Sequence, residues 1–284
     1  MDDIPSYMPP ITLGDSVRAT TVGRVAESKN ANFETGQWVL GLNGIEEYSR
    51  VAEGGFTSPI DISLVPSPTN FLSILGAVGL TAYFGLLDAG QPKTGETVLV
   101  SGAAGAVGSA VGQIAKIKGC RAVGIAGGPV KCKRLIEEYG FDAAIDYRGK
   151  DLDALETDIK AAAPNGVDII FENVGGDILE AGITNLNEHA RVILCGLISE
   201  YNGEHKGAKN LWQLIVKQAS IKGFLIRDYV PRFGEGGAVM AGWVADGKIN
   251  FSEHIETGIE TAFDSFMLLF SGGNQGKLIL DVSP

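Results

Sequence analysis

An α/β fold with a doubly wound parallel sheet is predicted by three features of this 284-residue sequence. From Glu96 onward, apolar β-branched runs alternate with amphipathic helical stretches. The first of those runs ends in a glycine-rich turn that opens straight into a helix, and strand-like text broken by Asn and Gly turns lies at both ends of the chain. At about 150 residues per domain the length suits two domains. The alternating part is assigned to residues 73–251, and the β-rich text of 1–72 with a tail at 252–284 to a smaller second domain.

In order, the β-rich part offers short strands around Val22–Val25, Gln37–Leu40 and Glu47–Val51. A helical stretch then runs through Leu80–Tyr83, followed by a buried strand at Glu96–Ser101. The next helix carries Val107, Val111, Ile114 and Ala115 along one stripe, which seats it on a sheet. Five more strands are expected at Arg121–Ala126, Ala143–Tyr147, Val167–Glu172, Val192–Gly196 and Ile221–Ile226. Helical patterns separate them: Leu152, Leu155 and Ile159; Leu179, Ile183 and Leu186; Leu211, Leu214 and Ile215. The tail reads as a strand, a helix with Phe263, Phe266, Met267 and Phe270 on one side, and a last strand at Lys277–Val282 that rejoins the first β unit.

Composition narrows the function. An apolar fraction of 45% excludes a disordered chain, and 39 glycines without a fixed period exclude a fibre. With 23 basic against 34 acidic side chains the net charge is −11, which repels nucleic acid and anionic lipid alike. Cys120, Cys132 and Cys195 form no C-x-x-C pair or disulfide framework, Met1–Pro5 has no leader pattern, and no apolar run reaches the length of a membrane span. The sequence is therefore read as a cytoplasmic protein. His189, His205 and His254 are scattered, so no metal site is expected, and no G-x-S-x-G elbow supports a hydrolase.

The turn after the strand at Glu96–Ser101 reads Gly102-Ala103-Ala104-Gly105-Ala106-Val107-Gly108. Its A-x-G-x-x-G spacing, with a strand before and a helix after, is the dinucleotide turn of a Rossmann sheet. Gly105 lets a pyrophosphate approach the backbone, Gly108 lets helix and strand pack closely, and the helix N-terminus faces the phosphates. An NAD-selective site places Asp or Glu near the end of the second strand, where this chain has Gly127-Gly128-Pro129-Val130-Lys131. With no carboxylate to repel a 2′-phosphate and a lysine to attract one, NADP is the expected cofactor. The alternative for Lys131 is a solvated lysine at a helix start.

These motifs, with Gly79-Leu80-Thr81-Ala82-Tyr83, Glu172-Asn173-Val174-Gly175-Gly176, Cys195-Gly196-Leu197-Ile198-Ser199-Glu200-Tyr201-Asn202, Gly273-Asn274-Gln275-Gly276-Lys277 and Pro5-Ser6-Tyr7-Met8-Pro9-Pro10, resemble the zinc-independent medium-chain dehydrogenase/reductases. The likeness is to their prostaglandin reductase and 2-alkenal (double-bond) reductase branch. It implies a Rossmann domain joined to a GroES-like catalytic domain. It also implies that Gly105, Ala106, Val107 and Gly108 cradle the pyrophosphate and that Lys131 and Tyr147 meet the 2′-phosphate. Asn173, the backbone of Cys195, Gly196, Leu197 and Ile198, and Phe224, Leu225 and Ile226 would line the nicotinamide half. Asn274 would close over the cofactor. Tyr201 matches the tyrosine beside the substrate carbonyl; its alternative is a loop tyrosine packed on a neighbour. Family members carry further strands ahead of the Pro-Ser-Tyr segment, including a Tyr-Met-Arg motif, so the resemblance implies a partial catalytic domain and weak turnover. Ile45 stands where the family has an aromatic.

The function so implied is NADPH-dependent reduction of the carbon–carbon double bond of α,β-unsaturated ketones and aldehydes, with Tyr201 as catalytic residue. A quinone reductase and an NADPH-binding protein with little catalysis remain alternatives. The sixth strand, at a sheet edge, points to a homodimer.

Overall fold

The computed structural model describes residues 8–51, 55–201 and 207–283; Pro5, Ser6, Tyr7, His205 and Asn202 lie outside them. In chain order the strands and α-helices are β1 (Arg18–Arg24), β2 (Trp38–Gly44), β3 (Thr57–Pro59), α1 (Ala77–Phe84), β4 (Thr97–Val100), α2 (Ala106–Ile117), β5 (Arg121–Ala126) and α3 (Pro129–Glu137). They continue as β6 (Ala143–Asp146), α4 (Leu152–Ala162), β7 (Val167–Glu172), α5 (Gly176–Thr184), β8 (Leu186–Leu194), α6 (Trp212–Val216), β9 (Ser220–Gly223), α7 (Phe233–Ala245), β10 (Glu253–Thr257), α8 (Ala262–Ser271) and β11 (Lys277–Asp281). The chain divides into two compact units, residues 1–76 with 253–284 and residues 77–252.

The larger unit holds a six-stranded parallel sheet in the order β6-β5-β4-β7-β8-β9. Strand order reverses between β4 and β7, which makes their carboxyl ends the switch point where such sheets bind ligands. Helices cover both faces. On one, α4 and α5 pack Leu155, Ile159, Leu179 and Ile183 against Val123, Ile125, Ile170 and Val192. On the other, Gly124 faces Leu135 of α3 and Phe141, and Phe141 in turn fills the space beside Gly112 of α2. The predicted α/β class and doubly wound sheet are thus what the chain adopts.

Several boundaries differ from the sequence reading, each for a local reason. The strand expected at Glu47–Val51 is a series of bends, because Glu46 ties Ser16 and Ser49 into a turn. Leu186 opens β8 rather than extending a helix: Asn185 stops α5 by donating its side-chain amide to the Ala181 and Glu156 carbonyls. The last strand of the sheet ends at Gly223, and Phe224–Ile226 leaves it. There the Phe224 ring turns back between Phe171 and Tyr229, with centroids 6.2 and 6.4 Å away. Leu214 and Ile215 of the stripe that begins at Leu211 fall on a one-turn helix, α6, and Leu211 caps its start; Leu211 and Ile215 are exposed.

In the smaller unit β1, β2 and β3 form an antiparallel sheet, while β10 and β11 pair in parallel. The carboxylate of Glu253 joins distant parts of this unit, accepting from Thr69 Oγ1 (2.6 Å), Asn70 Nδ2 (3.2 Å) and Ser73 Oγ. The apolar stripe of α8 stays outward: Phe263, Phe266, Met267 and Phe270 are all exposed, and Ser265 is the buried residue of the helix. Among the described residues no helix is long and apolar enough to cross a membrane, and no group of three His, Cys, Asp or Glu could hold a metal ion.

The packing around two glycines gives opposite expectations. A Cβ on Gly112 would lie 1.9 Å from the Phe141 ring, whereas one on Gly237, inside α7, meets nothing within 4 Å. Gly112→Ala should therefore cost about 1–3 kcal/mol by overpacking. Gly237→Ala should be neutral or add about 0.5–1 kcal/mol through helix propensity. Urea unfolding of the two variants checks both signs.

Candidate active site

The carboxyl ends of β4 to β8 bring most of the predicted site residues together. At the end of β4, Ser101 N–H donates to Phe171 O (3.1 Å) and Ala103 N–H to Ile125 O (3.0 Å), so the glycine turn is tied to a strand on each side. A Cβ on Gly108 would fall 2.5 Å from Gly102 O and 2.7 Å from Ala103 Cα, which leaves glycine as the residue that fits. Gly105 caps α2 in an extended conformation without a side-chain partner for the first turn. The N–H groups of Ala106, Val107 and Gly108 at this helix start are therefore available to an anion, aided by the helix dipole.

A second region lies at the ends of β5 and β6. Gly128 has φ +94°, in the left-handed region, and lets the chain turn into α3, whose first turn carries Lys131. Although burial works against its charged form, the Asp146 carboxyl is held below its ordinary value because Oδ1 accepts from the backbone of Gly128 (2.7 Å) and Arg148 (3.0 Å). Its charge is thus satisfied by the turn itself. Tyr147 and Arg148 lie over that turn: a Cβ on Gly127 would meet Tyr147 Oη at 3.1 Å and Arg148 Nε at 3.2 Å. Burial, then the charges of Arg148 and Arg134, hold Lys131 below the usual lysine value. Lys131 and Arg148 thus lie together beside this turn, while Arg134 is paired with Glu138 at 2.8 Å. Arg148 was missed in the sequence reading. Its signal was available: in a parallel sheet, residues just past β6 lie beside those just past β5.

The third region joins β7 and β8 at the switch point. Glu172, fully buried, accepts at Oε1 from Ser101 Oγ (2.6 Å), Val174 N–H (2.5 Å) and Gly175 N–H (2.8 Å), while Oε2 has no partner among the described residues. Burial pushes this carboxyl above its ordinary value against those hydrogen bonds. Asn173 donates its backbone N–H to Ser101 Oγ and its side-chain amide to Ser101 O, each at 2.7 Å. The segment after β8 runs alongside: Cys195 and Gly196 donate to Glu172 O (2.9 and 3.1 Å), and Ile198 donates to Asn173 O (3.2 Å). Tyr201 then folds back, its Oη accepting from Leu197 N–H at 3.3 Å.

Two other expectations meet a different local setting. The Phe224 ring is committed to the core of the larger unit, and Leu225 and Ile226 begin a 3-10 turn. Asn274 belongs to the smaller unit, where its side-chain amide donates to Gly276 O (3.0 Å).

The sheet order and the glycine turn are those of a doubly wound α/β unit, with Lys131 and Arg148 just past β5 and β6 and the Tyr201 hydroxyl just past β8. The chain is similar to several known proteins. The family described as "Zinc-binding dehydrogenase" matches residues 106–239, and "N-terminal domain of oxidoreductase" matches residues 1–58. The NADPH-dependent curcumin reductase of Escherichia coli is 40% identical, over 100% of this chain and 83% of its own length. The 2-alkenal reductase (NADP(+)-dependent) of Nicotiana tabacum is 39% identical, over 98% of this chain and 80% of its own. The crystal structure of CurA from Vibrio vulnificus in complex with NADPH superposes with a TM-score of 0.91 at 40% identity, covering 100% of this chain and 85% of that one. The chain belongs to the medium-chain dehydrogenase/reductases, in the branch of NADP-dependent oxidoreductases that holds the curcumin, 2-alkenal and prostaglandin reductases.

None of the three thiols is set up as a nucleophile. Burial, with the nearby Glu172 charge, pushes Cys195 up to about 12, and burial with the Glu96 charge pushes Cys120 to about 11; burial also raises Cys132. Cys120 and Cys195 should resist a thiol reagent at pH 8 in the native protein and react once it is unfolded. Because the folded state keeps these protons while the unfolded state loses them near pH 9, stability should fall as pH rises from about 9 toward 12. Labelling with and without denaturant, and unfolding curves across that range, read both effects.

Proposed function

We propose that this chain is an NADPH-dependent reductase of the carbon–carbon double bond in α,β-unsaturated ketones and aldehydes. The observation that carries this reading is the Tyr201 hydroxyl, held beside Gly196 and Leu197 at the end of β8. In a sheet of this order that end of the switch point serves the reactive half of a dinucleotide.

The residues fit the cofactor. The turn Gly105–Gly108 and the start of α2 hold the pyrophosphate. Lys131, Arg148 and Tyr147 hold the 2′-phosphate, a dianion suited to two neighbouring cations and a phenol. Asn173 and the backbone of 195–198 line the nicotinamide half. When bound, NADPH supplies a hydride to the β-carbon of the conjugated bond. Negative charge then develops on the substrate carbonyl oxygen, where the Tyr201 hydroxyl donates a hydrogen bond to the enolate, and water delivers the proton to the α-carbon.

Two measurements test this reading. Product analysis with a simple enone should give the saturated ketone with its carbonyl intact; an allylic alcohol, or a marked preference for quinones over enones, would overturn it. NADPH should bind more tightly than NADH. Arg148→Ala and Lys131→Ala should each weaken NADPH by about 10- to 100-fold, the loss of one charge-assisted contact, with little change for NADH. Equal affinity for the two nucleotides in the unmutated protein would refute the cofactor assignment.

We further propose a homodimer formed through the larger unit. Its edge strand β9 is exposed along its whole length, and Trp212, Ile215 and Val216 of α6 stand exposed in the same unit. An open edge with apolar surface invites pairing with a second copy. Sedimentation should give twice the chain mass at micromolar concentration, and Ile221→Lys should shift it toward the monomer.

A further inference from the structure

We propose that Gly196 is the positioning residue for the Tyr201 hydroxyl, with the Leu197 amide as its anchor; the catalytic consequence rests on the reading of Tyr201 as hydrogen-bond donor to the substrate oxygen. The 3-10 turn Ile198–Glu200 carries the chain back on itself, so that Tyr201, at its end, returns to the backbone of 196–197. That turn is fixed from several sides. Ile198 and Ser199 donate their N–H groups to Asn173 O (3.2 Å) and Val174 O (3.0 Å), and the buried carboxylate of Glu200 accepts from Gly176 N–H (3.2 Å).

Against this rigid frame, Tyr201 Oη accepts from Leu197 N–H at 3.3 Å, near the long end of a hydrogen bond. A Cβ on Gly196 would sit 3.0 Å from the same Oη, with the next nearest atom, Asn173 O, at 3.7 Å. Gly196 does not adopt a left-handed backbone, so alanine would bring no conformational strain there. The space at Gly196 is therefore needed by the tyrosine rather than by the turn. A methyl group there would press on the hydroxyl by a few tenths of an ångström, enough to weaken a bond already at 3.3 Å.

The arrangement sets the polarity of the phenol. Its oxygen is occupied as an acceptor by a backbone N–H, and among the described residues no acceptor takes its proton. With the ring about half exposed, the O–H is left to donate to a substrate oxygen. A hydrogen bond received at the phenol oxygen also polarises the O–H and strengthens that donation.

The test is a double-mutant cycle on the whole chain with saturating NADPH and an enone. Gly196→Ala should lower kcat at saturating NADPH by about 10-fold, as expected for a misplaced transition-state donor. In a Tyr201→Phe background, where the clashing hydroxyl is absent, Gly196→Ala should lower kcat by a clearly smaller factor than it does in the unmutated chain. Equal losses of kcat in the two backgrounds would overturn the proposal. Hydrogen exchange at the Leu197 amide, followed without substrate, reads the docking separately: it should quicken in both Tyr201→Phe and Gly196→Ala, and an unchanged rate in both would also overturn it. If Tyr201→Phe quickens that exchange yet leaves turnover untouched, the docking of the hydroxyl stands and the donor role fails.

Discussion

The cofactor end of the larger unit depends on one buried carboxyl. Glu172 closes β7 at the point where strand order reverses, and a single oxygen gathers Ser101 from β4 and the two backbone amides that lead into α5. Adjacent strands of a doubly wound sheet send their connections to opposite faces at this point, and the β4–β7 ladder reaches only as far as the Ser101 N–H to Phe171 O bond. Beyond it, Glu172, Ser101 and Asn173 supply the joint between the two turns. Its free oxygen, buried without a partner among the described residues, shows what the joint costs: a carboxyl kept from water and driven toward its neutral form.

From that joint the site spreads by backbone contact. The Glu172 and Asn173 carbonyls receive the amides of Cys195, Gly196 and Ile198, which continues the β7–β8 pairing past the end of the sheet. The lining of the cleft is thus mostly main chain, and its side chains matter chiefly where they are absent, as at Gly108 and Gly196. The opposite end is built on charge. There the Asp146 carboxylate is held by the backbone of Gly128 and Arg148, and Lys131 and Arg148 lie together beside the same turn of an acidic protein.

Much of this was legible in the sequence because it is periodic or local. The strands β4 to β7 and the turn at Gly102–Gly108 announce themselves through β-branched runs and glycine spacing, and Lys131 through the lack of an acid beside it. What escaped was set by tertiary partners. Leu186 fits a helical stripe and becomes a strand because Asn185 caps α5; Phe224 fits a strand and leaves it for Phe171 and Tyr229. Arg148 and Glu172 look like ordinary charged residues until neighbouring strands place them next to a turn. The exposed phenylalanines of α8 show the converse, a clear amphipathic pattern whose apolar side faces outward.

The hydrogen bonds to Glu253 carry a consequence for biosynthesis. They join residues 180 to 184 positions apart, spanning the whole of the larger unit. On the ribosome, that continuous segment emerges complete and can acquire its core before Glu253 exists to meet Thr69, Asn70 and Ser73. The smaller unit, begun first, must wait as an open half-structure and is finished last, so its exposed strand edges are the surfaces most in need of protection while the chain is being made.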